Sequence, residues 1–254
     1  MKISIYPPCG FSEIGQRENN EDALFPSLEL ASENHNLFIV CDGVGGSDKG
    51  EVASKLAVDS ISDYLLNISQ DSVDDITIQS AVNNVLDKFD EAINNDESLK
   101  KMATTLALLF YNENGVLFSH IGDSRIFHIR NETIIYKSKD HTLVNQLLEQ
   151  EIITEEEAKA SKKNQLIRFI STTNKKYAKA ETYLQTDLQD EDYFLLCSDG
   201  LLETILEEDL LKILNNKDKN NYDKTIEICN LSLQNNTKDN YTAYLVQIKS
   251  VAKN

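Results

Sequence analysis

The most informative segment of this chain is Phe38-Ile39-Val40-Cys41-Asp42-Gly43-Val44-Gly45-Gly46, around which the other elements are arranged. A short apolar run ends abruptly in an aspartate, and glycines fill three of the next four positions. An apolar run bounded by turn signals predicts a buried strand, and the glycines permit positive φ angles and close approach of the backbone to a ligand. The stretch therefore predicts that Asp42 ends a strand, with the Gly43 carbonyl free to point to the same place. A plain strand–turn–helix connection with a solvated aspartate is the alternative interpretation.

The same pattern occurs again near the end of the chain. The apolar run from Tyr193 to Cys197 is stopped by Ser198-Asp199-Gly200, Asp239 precedes the predicted last strand, and Asp123 lies in a predicted hairpin turn. If the sheets bring these junctions to one rim, several carboxylates converge there, and like charges held close together require a cation. Oxygen ligands without a clear His or Cys partner favour Mg²⁺ or Mn²⁺ over zinc. Each aspartate taken alone is also compatible with a turn or cap residue.

The elements between these junctions predict an α+β fold. Apolar residues at helical spacing predict helices from about Asp48 to Leu66 and, after a start resembling a capping box at Ser72 to Asp75, through Ile93. The middle of the chain, from Ala103 to Tyr136, predicts antiparallel strands joined by turns at Asn114-Gly115 and Asn131-Glu132, with no alternation of strands and helices. A charged helical region is predicted through Leu143–Leu148 and Thr154–Ala160 and continues from Asn164 to Ile170; the whole segment at about 140 to 180 is expected to form a mobile flap. Further predicted segments are helices at 207–214 and 222–234 and strands at 2–6 and 241–248.

Composition narrows the class of function. The 254 residues carry 42 acidic and 25 basic side chains, a formal net charge of −17, which disfavours binding to nucleic acid or to an anionic membrane. The four cysteines are scattered without zinc-ligand spacing, and Cys41 and Cys197 are expected to be reduced core residues. No apolar run is long enough to span a bilayer, and the N-terminus lacks the apolar core of a signal peptide. A soluble, cytoplasmic protein is expected.

Seven short motifs follow one another along essentially the whole chain. They are Arg17-x-x-Asn20-Glu21-Asp22, Val40-Cys41-Asp42-Gly43-Val44-Gly45-Gly46-x-x-x-Gly50-Glu51-x-Ala53-Ser54, Thr104-Thr105, Ile121-Gly122-Asp123-Ser124-Arg125, Asp140-His141-Thr142, Leu196-Cys197-Ser198-Asp199-Gly200-Leu201 and Asp239-Asn240-x-Thr242. Their order and spacing resemble the metal-dependent protein phosphatase type 2C family in its compact bacterial form. The resemblance implies one domain over 1–254, a four-layer α-β-β-α sandwich of two antiparallel sheets flanked by helices, and a dinuclear metal site at one rim.

The resemblance also implies roles for individual residues. The implied metal ligands are Asp42, the Gly43 carbonyl, Asp199 and Asp239, with the acidic pair Glu21 and Asp22 binding metal or orienting its water. Arg17 matches the phosphate-binding arginine, so the implied catalytic residues are Arg17, Asp22 and Asp42. Asp123 matches a ligand of a third, weaker ion in bacterial members, with Glu203 placed to assist it, although Asp123 is equally compatible with a turn residue. His141 is expected to order its loop, and Asn240 to hold Asp239.

The chain departs from the family pattern at several positions. Val44 stands where animal members place a histidine that protonates the leaving oxygen, and valine cannot donate a proton. Ala103 replaces the usual glycine before Thr104-Thr105, which indicates a change in packing. The segment Asn164–Asn174 keeps Asn164 and Arg168 but lacks the glycine expected near Ser171, so the loop over the site, and with it the choice of substrate, is expected to differ.

The sequence therefore predicts a Mn²⁺- or Mg²⁺-dependent enzyme that hydrolyses phosphoserine and phosphothreonine in proteins, through a water activated by two metal ions. Its expected partners are phosphorylated proteins, with a Ser/Thr kinase acting in opposition, and it is expected to be a monomer. One alternative is a non-catalytic binding module that keeps the fold for protein recognition. Such a chain is expected to lose metal-site carboxylates, and this sequence keeps all of them. The other is a metal-dependent nuclease, which the acidic composition disfavours.

Overall fold

The computed structural model describes residues 1–44, 49–161 and 165–252. The strands are β1 (Lys2–Ile5), β2 (Cys9–Glu13), β3 (Asp22–Phe25), β4 (Leu37–Asp42), β5 (Leu106–Asn112), β6 (Gly115–Ile121), β7 (Arg125–Arg130), β8 (Thr133–Lys137), β9 (Glu181–Gln185), β10 (Tyr193–Cys197) and β11 (Tyr241–Ala252). The α-helices are α1 (Gly50–Leu66), α2 (Asp75–Asn95), α3 (Leu143–Glu149), α4 (Glu155–Ala160), α5 (Asp199–Leu202), α6 (Glu207–Leu214) and α7 (Asn221–Gln234). Short 3₁₀ segments lie at Gln70–Ser72, Glu97–Lys101 and Thr172–Tyr177.

The strands form two antiparallel sheets. The first sheet has the order β1-β11-β10-β7-β8, with β2 also pairing with β11, and the second has the order β3-β4-β5-β6-β9. Tight turns pair β5 with β6 and β7 with β8. The predicted hairpin turn at Asp123 is wrong, because β6 and β7 on either side of it belong to different sheets. Long-range pairing then brings the last strand, β11, between β1 and β10.

Three apolar clusters fill the spaces between the layers of this sandwich. In β4, Leu37, Ile39 and Cys41 face α1 and α2, whereas Phe38 and Val40 face the other sheet. The third cluster packs the outer face of the first sheet against α5, α6 and α7. Because β4 is covered on both faces, it is apolar at successive positions instead of alternating. The layers are therefore helices, sheet, sheet and helices, and the predicted fold class is confirmed.

Several sequence predictions of local structure are wrong. Strands β2, β3 and β9 and the short helix α5 were not predicted, because their sequences are short or polar and they depend on pairing or packing with distant segments. The predicted helical continuation from Asn164 to Ile170 is instead extended where it is described, with bridges from Leu166 to Thr142 and from Ile170 to Thr104. Asn164 itself lies outside the described residues, as do Gly45 and Gly46 of the motif after β4 and Asp48, the predicted start of the first helix.

The start of α2 differs in detail from the predicted capping box. Asp74, not Ser72, is the N-cap residue, and its carboxylate accepts hydrogen bonds from the backbone N–H and the hydroxyl of Thr77. A carboxylate at this position satisfies a free N–H group and interacts favourably with the helix dipole. Ser72 lies in the 3₁₀ segment before the helix.

Candidate metal centre

Asp22 and Asp42 face each other across the pairing of β3 and β4. The backbone N–H of Asp42 donates to Thr105 Oγ1 (3.0 Å), and its carbonyl accepts from the Thr105 N–H (2.9 Å) and from Thr104 Oγ1 (2.8 Å). These bonds fix the end of β4 without using the carboxylate. Burial, followed by the charges of Asp22 and Asp199, raises the pKa of Asp42 well above its ordinary value. The backbone bonds therefore position the Asp42 carboxylate in an environment of low polarity, close to other acidic side chains.

Asp22 connects the two sheets at this rim. Its Oδ2 accepts a hydrogen bond from Ser198 Oγ (2.7 Å), which follows β10 of the other sheet, whereas its Oδ1 is buried without a hydrogen-bond partner. Burial raises the pKa of Asp22 to about 7, against the lowering effect of the nearby hydroxyl groups of Thr242 and Ser198. A buried carboxylate oxygen without a partner is costly, and a bound cation would satisfy it.

Asp199 and Asp239 come from adjacent parts of the first sheet. Asp199 is the first residue of α5, and Asp239 lies two residues before β11. Gly200 permits their approach, because a Cβ atom there would lie 2.0 Å from the Asn240 carbonyl oxygen and 3.1 Å from Asp239 Cβ. Burial, and then the charge of Asp239, raise the pKa of Asp199.

Asp123 and Glu203 lie beside this group, in different environments. Burial, and then the charges of Asp199 and Asp140, raise the pKa of Asp123 to about 7. Glu203 is exposed, and its Oε2 accepts a hydrogen bond from the Lys238 N–H (3.2 Å). Its charge also contributes to raising the pKa of Asp199. Glu203 thus supports the loop before Asp239 from the surface, whereas Asp123 belongs to the group of half-buried aspartates.

Arg17 and Glu21 lie on the loop that leads into β3. The guanidinium of Arg17 contacts Asp239 Oδ2 at 2.5 Å and its side chain is 56% exposed, so Arg17 stands at the mouth of the acidic group. Glu21 packs against the start of α1, where a Cβ atom on Gly50 would lie 2.6 Å from the Glu21 carboxyl carbon. Its backbone carbonyl accepts from the Gly43 N–H (3.1 Å) and from Ser54 Oγ (2.5 Å). Burial, and then the charge of Glu51, raise the pKa of Glu21.

The acidic rim is the name used below for five half-buried aspartates, which are Asp22, Asp42, Asp123, Asp199 and Asp239. They come from both sheets, and each has its pKa raised or raises that of another member. Within the described residues, three potential ligand atoms come within 4.8 Å of one another at His120, His141 and Glu181, and the rim carboxylates are spread more widely. The rim offers oxygen ligands, its carboxylates repel one another, and Asp22 Oδ1 has no hydrogen-bond partner. These three properties suit a site for hard divalent ions.

Three residues that the structure places at the rim have no role predicted from the sequence. Ser198 bonds Asp22 and also accepts from the Thr242 N–H (3.0 Å), and Thr105 Oγ1 lies 2.6 Å from Ser124 Oγ as well as holding Asp42. Glu51 has a buried Oε2 without a hydrogen-bond partner in the described structure. All three belong to motifs quoted above, but small hydroxyl residues and a helix-start glutamate carry no signal of their role without the fold.

His141 contacts the turn that carries Asp123. Its backbone N–H donates to the Gly122 carbonyl (2.9 Å), and its Nδ1 accepts from the Gly122 N–H (3.1 Å). The ring stacks on His120 at 4.4 Å, and its Nε2 faces Glu181 Oε2 (3.2 Å) and the Arg168 guanidinium. Because Nδ1 accepts a hydrogen bond, the neutral ring carries its proton on Nε2, which leaves no lone pair there for a metal.

Fold and site together define the class of protein: a four-layer α-β-β-α sandwich with an acidic centre of oxygen donors at one rim of its two sheets. Comparison with known families then identifies it further. Residues 9–232 match the model of the family described as Protein phosphatase 2C. The chain belongs to this family and is a protein phosphatase, so the resemblance and the enzyme class predicted from the sequence are confirmed.

Named relatives agree with this assignment. Protein phosphatase PhpP of Streptococcus pneumoniae is 31% identical over 253 residues, which cover 98% of each chain. The crystal structure of the serine/threonine phosphatase Stp1 from Staphylococcus aureus has a TM-score of 0.82 at 27% identity and covers 98% of each chain. The catalytic domain of the serine/threonine protein phosphatase PstP, described in complex with two manganese ions, shares the fold with a TM-score of 0.81 at 24% identity, over 98% of this chain and all of that one.

The described part of the chain contains no helix that is both long enough and apolar enough to cross a membrane.

Proposed function

We propose that the acidic rim binds two divalent ions, Mn²⁺ or Mg²⁺, and that the enzyme uses them to hydrolyse phosphoserine and phosphothreonine in proteins. The observation that supports this proposal is the convergence of half-buried carboxylates from both sheets, one of which, Asp22, has a buried oxygen without a hydrogen-bond partner. The two manganese ions of PstP and the serine/threonine phosphatase activity named for Stp1 support it by similarity. Phosphorylated proteins made by a Ser/Thr kinase are the proposed substrates.

Different residues of the chain have different roles in this proposal. Asp42, the Gly43 carbonyl, Asp199 and Asp239 would hold the ions, with Glu21 and Asp22 binding an ion directly or through water. Two divalent ions supply an activated water and neutralise charge on the phosphoryl group when they are bound. Thr104 and Thr105 hold the backbone of Asp42, and Ser198 holds the carboxylate of Asp22, which favours a preorganised site.

Arg17 is the proposed phosphate-binding residue. Its guanidinium combines contact with Asp239 and an exposed position, so it can meet a phosphoryl group that approaches the rim from solvent. The planar group can donate to two phosphoryl oxygens at once. Asp239 therefore links the ion site to the phosphate-binding arginine.

Two parts of the proposal concern the surroundings of the rim. Asp123 is proposed to contribute to a third ion, and Glu203 to assist from the surface. Residues 140–180 are proposed to form a flap over the site, joined to the first sheet through the bidentate contact of Arg125 with Asp140, 2.5 Å at both nitrogens. We further propose that the enzyme acts in the cytoplasm as a monomer.

The test is to replace one rim carboxylate at a time by its amide. Asp42→Asn and Asp199→Asn should each lower phosphate release from a phosphothreonine peptide by roughly 100-fold or more, because charge stabilisation at the reacting group is lost. Activity of the unaltered enzyme should require Mn²⁺ or Mg²⁺ and disappear after chelation.

Asp59→Asn is the matched control, since it makes the same chemical change at an exposed residue of α1 that pairs with Lys55. This variant should keep full activity. If Asp42→Asn were as active as the unaltered enzyme, or if chelation had no effect, the proposed metal centre would be wrong.

A further inference from the structure

The side chain of Asn240 bonds the loop of residues 14–21, which carries Arg17 and Glu21. Its Nδ2 donates to the backbone carbonyls of Ile14 (2.8 Å) and Asn19 (2.9 Å), and its Oδ1 accepts from the backbone N–H of Glu21 (2.8 Å). Asn240 is only 4% exposed, so these bonds are shielded from water. One carboxamide thus holds the loop on both sides of Arg17.

Apolar packing does not hold this loop. Residues 13–19 are all exposed or half-buried. Several of their other contacts are to the segment before β11. The Gln16 N–H donates to the Lys238 carbonyl at a long 3.3 Å, and Gly15, at φ +60°, passes so close that a Cβ atom would lie 2.0 Å from the Asp239 carbonyl oxygen. The position of Arg17 relative to Asp239 therefore depends on hydrogen bonds to the 236–240 segment, among which those of Asn240 are short and buried.

We propose that Asn240 is a positioning residue for the phosphatase reaction, acting through Arg17. The inference rests on the proposed phosphate-binding role of Arg17. The sequence predicted instead that Asn240 holds Asp239, and its backbone N–H does donate to Asp239 Oδ1 (2.8 Å), but any residue other than proline could make that bond. The side chain serves the arginine loop. Misplacing a binding group by about 1 Å can cost roughly 100-fold in rate, so a loop without packing needs such a clamp.

The chemistry of the clamp requires an amide. Two backbone carbonyls need donors and one backbone N–H needs an acceptor, and Asn supplies both from a single short side chain. Alanine would leave all three groups without these partners. Aspartate would keep the acceptor for Glu21 but would place an oxygen against the carbonyls of Ile14 and Asn19.

The experiment is a double-mutant cycle between Asn240→Ala and Arg17→Ala, with kcat and KM measured on a phosphothreonine peptide at saturating Mn²⁺. Asn240→Ala should lower kcat/KM by about 10- to 100-fold when Arg17 is present, with a raised KM, and by less than about 3-fold when Arg17 is already alanine. Calorimetric titration should show the same number of Mn²⁺ ions bound by Asn240→Ala as by the unaltered protein.

Asn36→Ala is the matched control. The Nδ2 of Asn36 also donates two hydrogen bonds, to Gln70 Oε1 and to the Tyr111 carbonyl (3.1 Å each), before the start of β4 and away from the rim. It should lower the melting temperature without changing kcat/KM by more than about 2-fold, because hydrogen-bond loss alone acts on stability. If Asn240→Ala does not fold, Asn240→Asp enters the same cycle.

Three results would overturn the inference. Full activity of the Asn240 variants would show that the clamp is not needed. Equal losses in both Arg17 backgrounds would show that Asn240 acts independently of Arg17. Full activity of Arg17→Ala alone would remove the proposed role of Arg17 itself, which separates failure of the proposed function from failure of the clamp.

Discussion

Burial acts in opposite directions on the acids and the histidines of this protein. Asp22 and Asp123 have pKa values raised to about 7, because burial and neighbouring carboxylates disfavour their charged forms. The pKa of His141 is lowered to about 4, because burial and then the neighbouring His120 disfavour its protonated form. Both effects follow from the cost of placing a charge in a medium of low polarity. They oppose each other in the pH dependence of stability, so a single group must be isolated by a variant.

His141→Gln isolates the histidine. In the folded protein His141 takes up its proton at about pH 4, against an ordinary pKa of 6.5, so the unfolded chain binds more protons between these values. The contribution of His141 is therefore fully present above about pH 6.5 and is lost as the pH falls towards 4. The difference in unfolding free energy between the unaltered protein and His141→Gln should increase with pH over this window.

Urea unfolding at several pH values measures that difference. The charged groups that face the ring are Glu181 and Arg168, and His120 stacks on it, so Glu181→Gln provides a second variant that changes the same environment. A difference that stays constant from about pH 4 to 6.5 would show that His141 titrates normally in the folded protein.

The residues at the starts of α2 and α5 have different roles. At α2, Asp74 stabilises the helix by capping, at a place remote from the rim. At α5, Gly200 allows the helix start, with Asp199, to lie against the Asn240 carbonyl. The first is a matter of local stability, whereas the second sets the geometry of two carboxylates from separate elements.

Gly200→Ala and Asp74→Ala should therefore differ in their effect on activity. Asp74→Ala should lower stability by about 1 kcal/mol and leave activity unchanged, since only a cap is lost. Gly200→Ala should lower stability by about 1 to 3 kcal/mol and also lower activity, because the added methyl must displace Asp199 or the segment 239–240. Thermal unfolding and phosphate release measure the two quantities. Unchanged activity in Gly200→Ala would mean that the contact between α5 and Asn240 does not set the rim.

The acidic rim is built from residues of both sheets, so its geometry depends on the folding of the whole molecule. Asp42 and Asp22 come from the second sheet, Asp199 and Asp239 from junctions of the first, and Ser198 and Asp22 bond across 176 residues of sequence. Unfolding separates these carboxylates, so ions that bind them together must bind the folded state preferentially. Ion binding should therefore act as a stabilising link between the layers.

Mn²⁺ should raise the melting temperature of the whole chain. At 100 times its Kd, one ion contributes about 2.7 kcal/mol, which corresponds to roughly 5 to 10 °C for a domain of this size. Asp42→Asn should lose most of this shift, whereas the exposed control Asp59→Asn should keep it. Differential scanning calorimetry with and without chelator measures the effect. An equal shift in Asp42→Asn would place the bound ions elsewhere.

The long helices, the strands that end in Asp42 and before Asp199, and the family can be recognised in the sequence alone. Apolar periodicity and turn residues act over a few positions, so they can be recognised without the fold. The folded chain is needed to find the strands β2, β3 and β9, the unpartnered Asp22 oxygen and the hydrogen bonds of Asn240 to the arginine loop. Short polar strands and single hydrogen bonds acquire their partners from segments up to hundreds of residues away, and no local pattern records which segments those are.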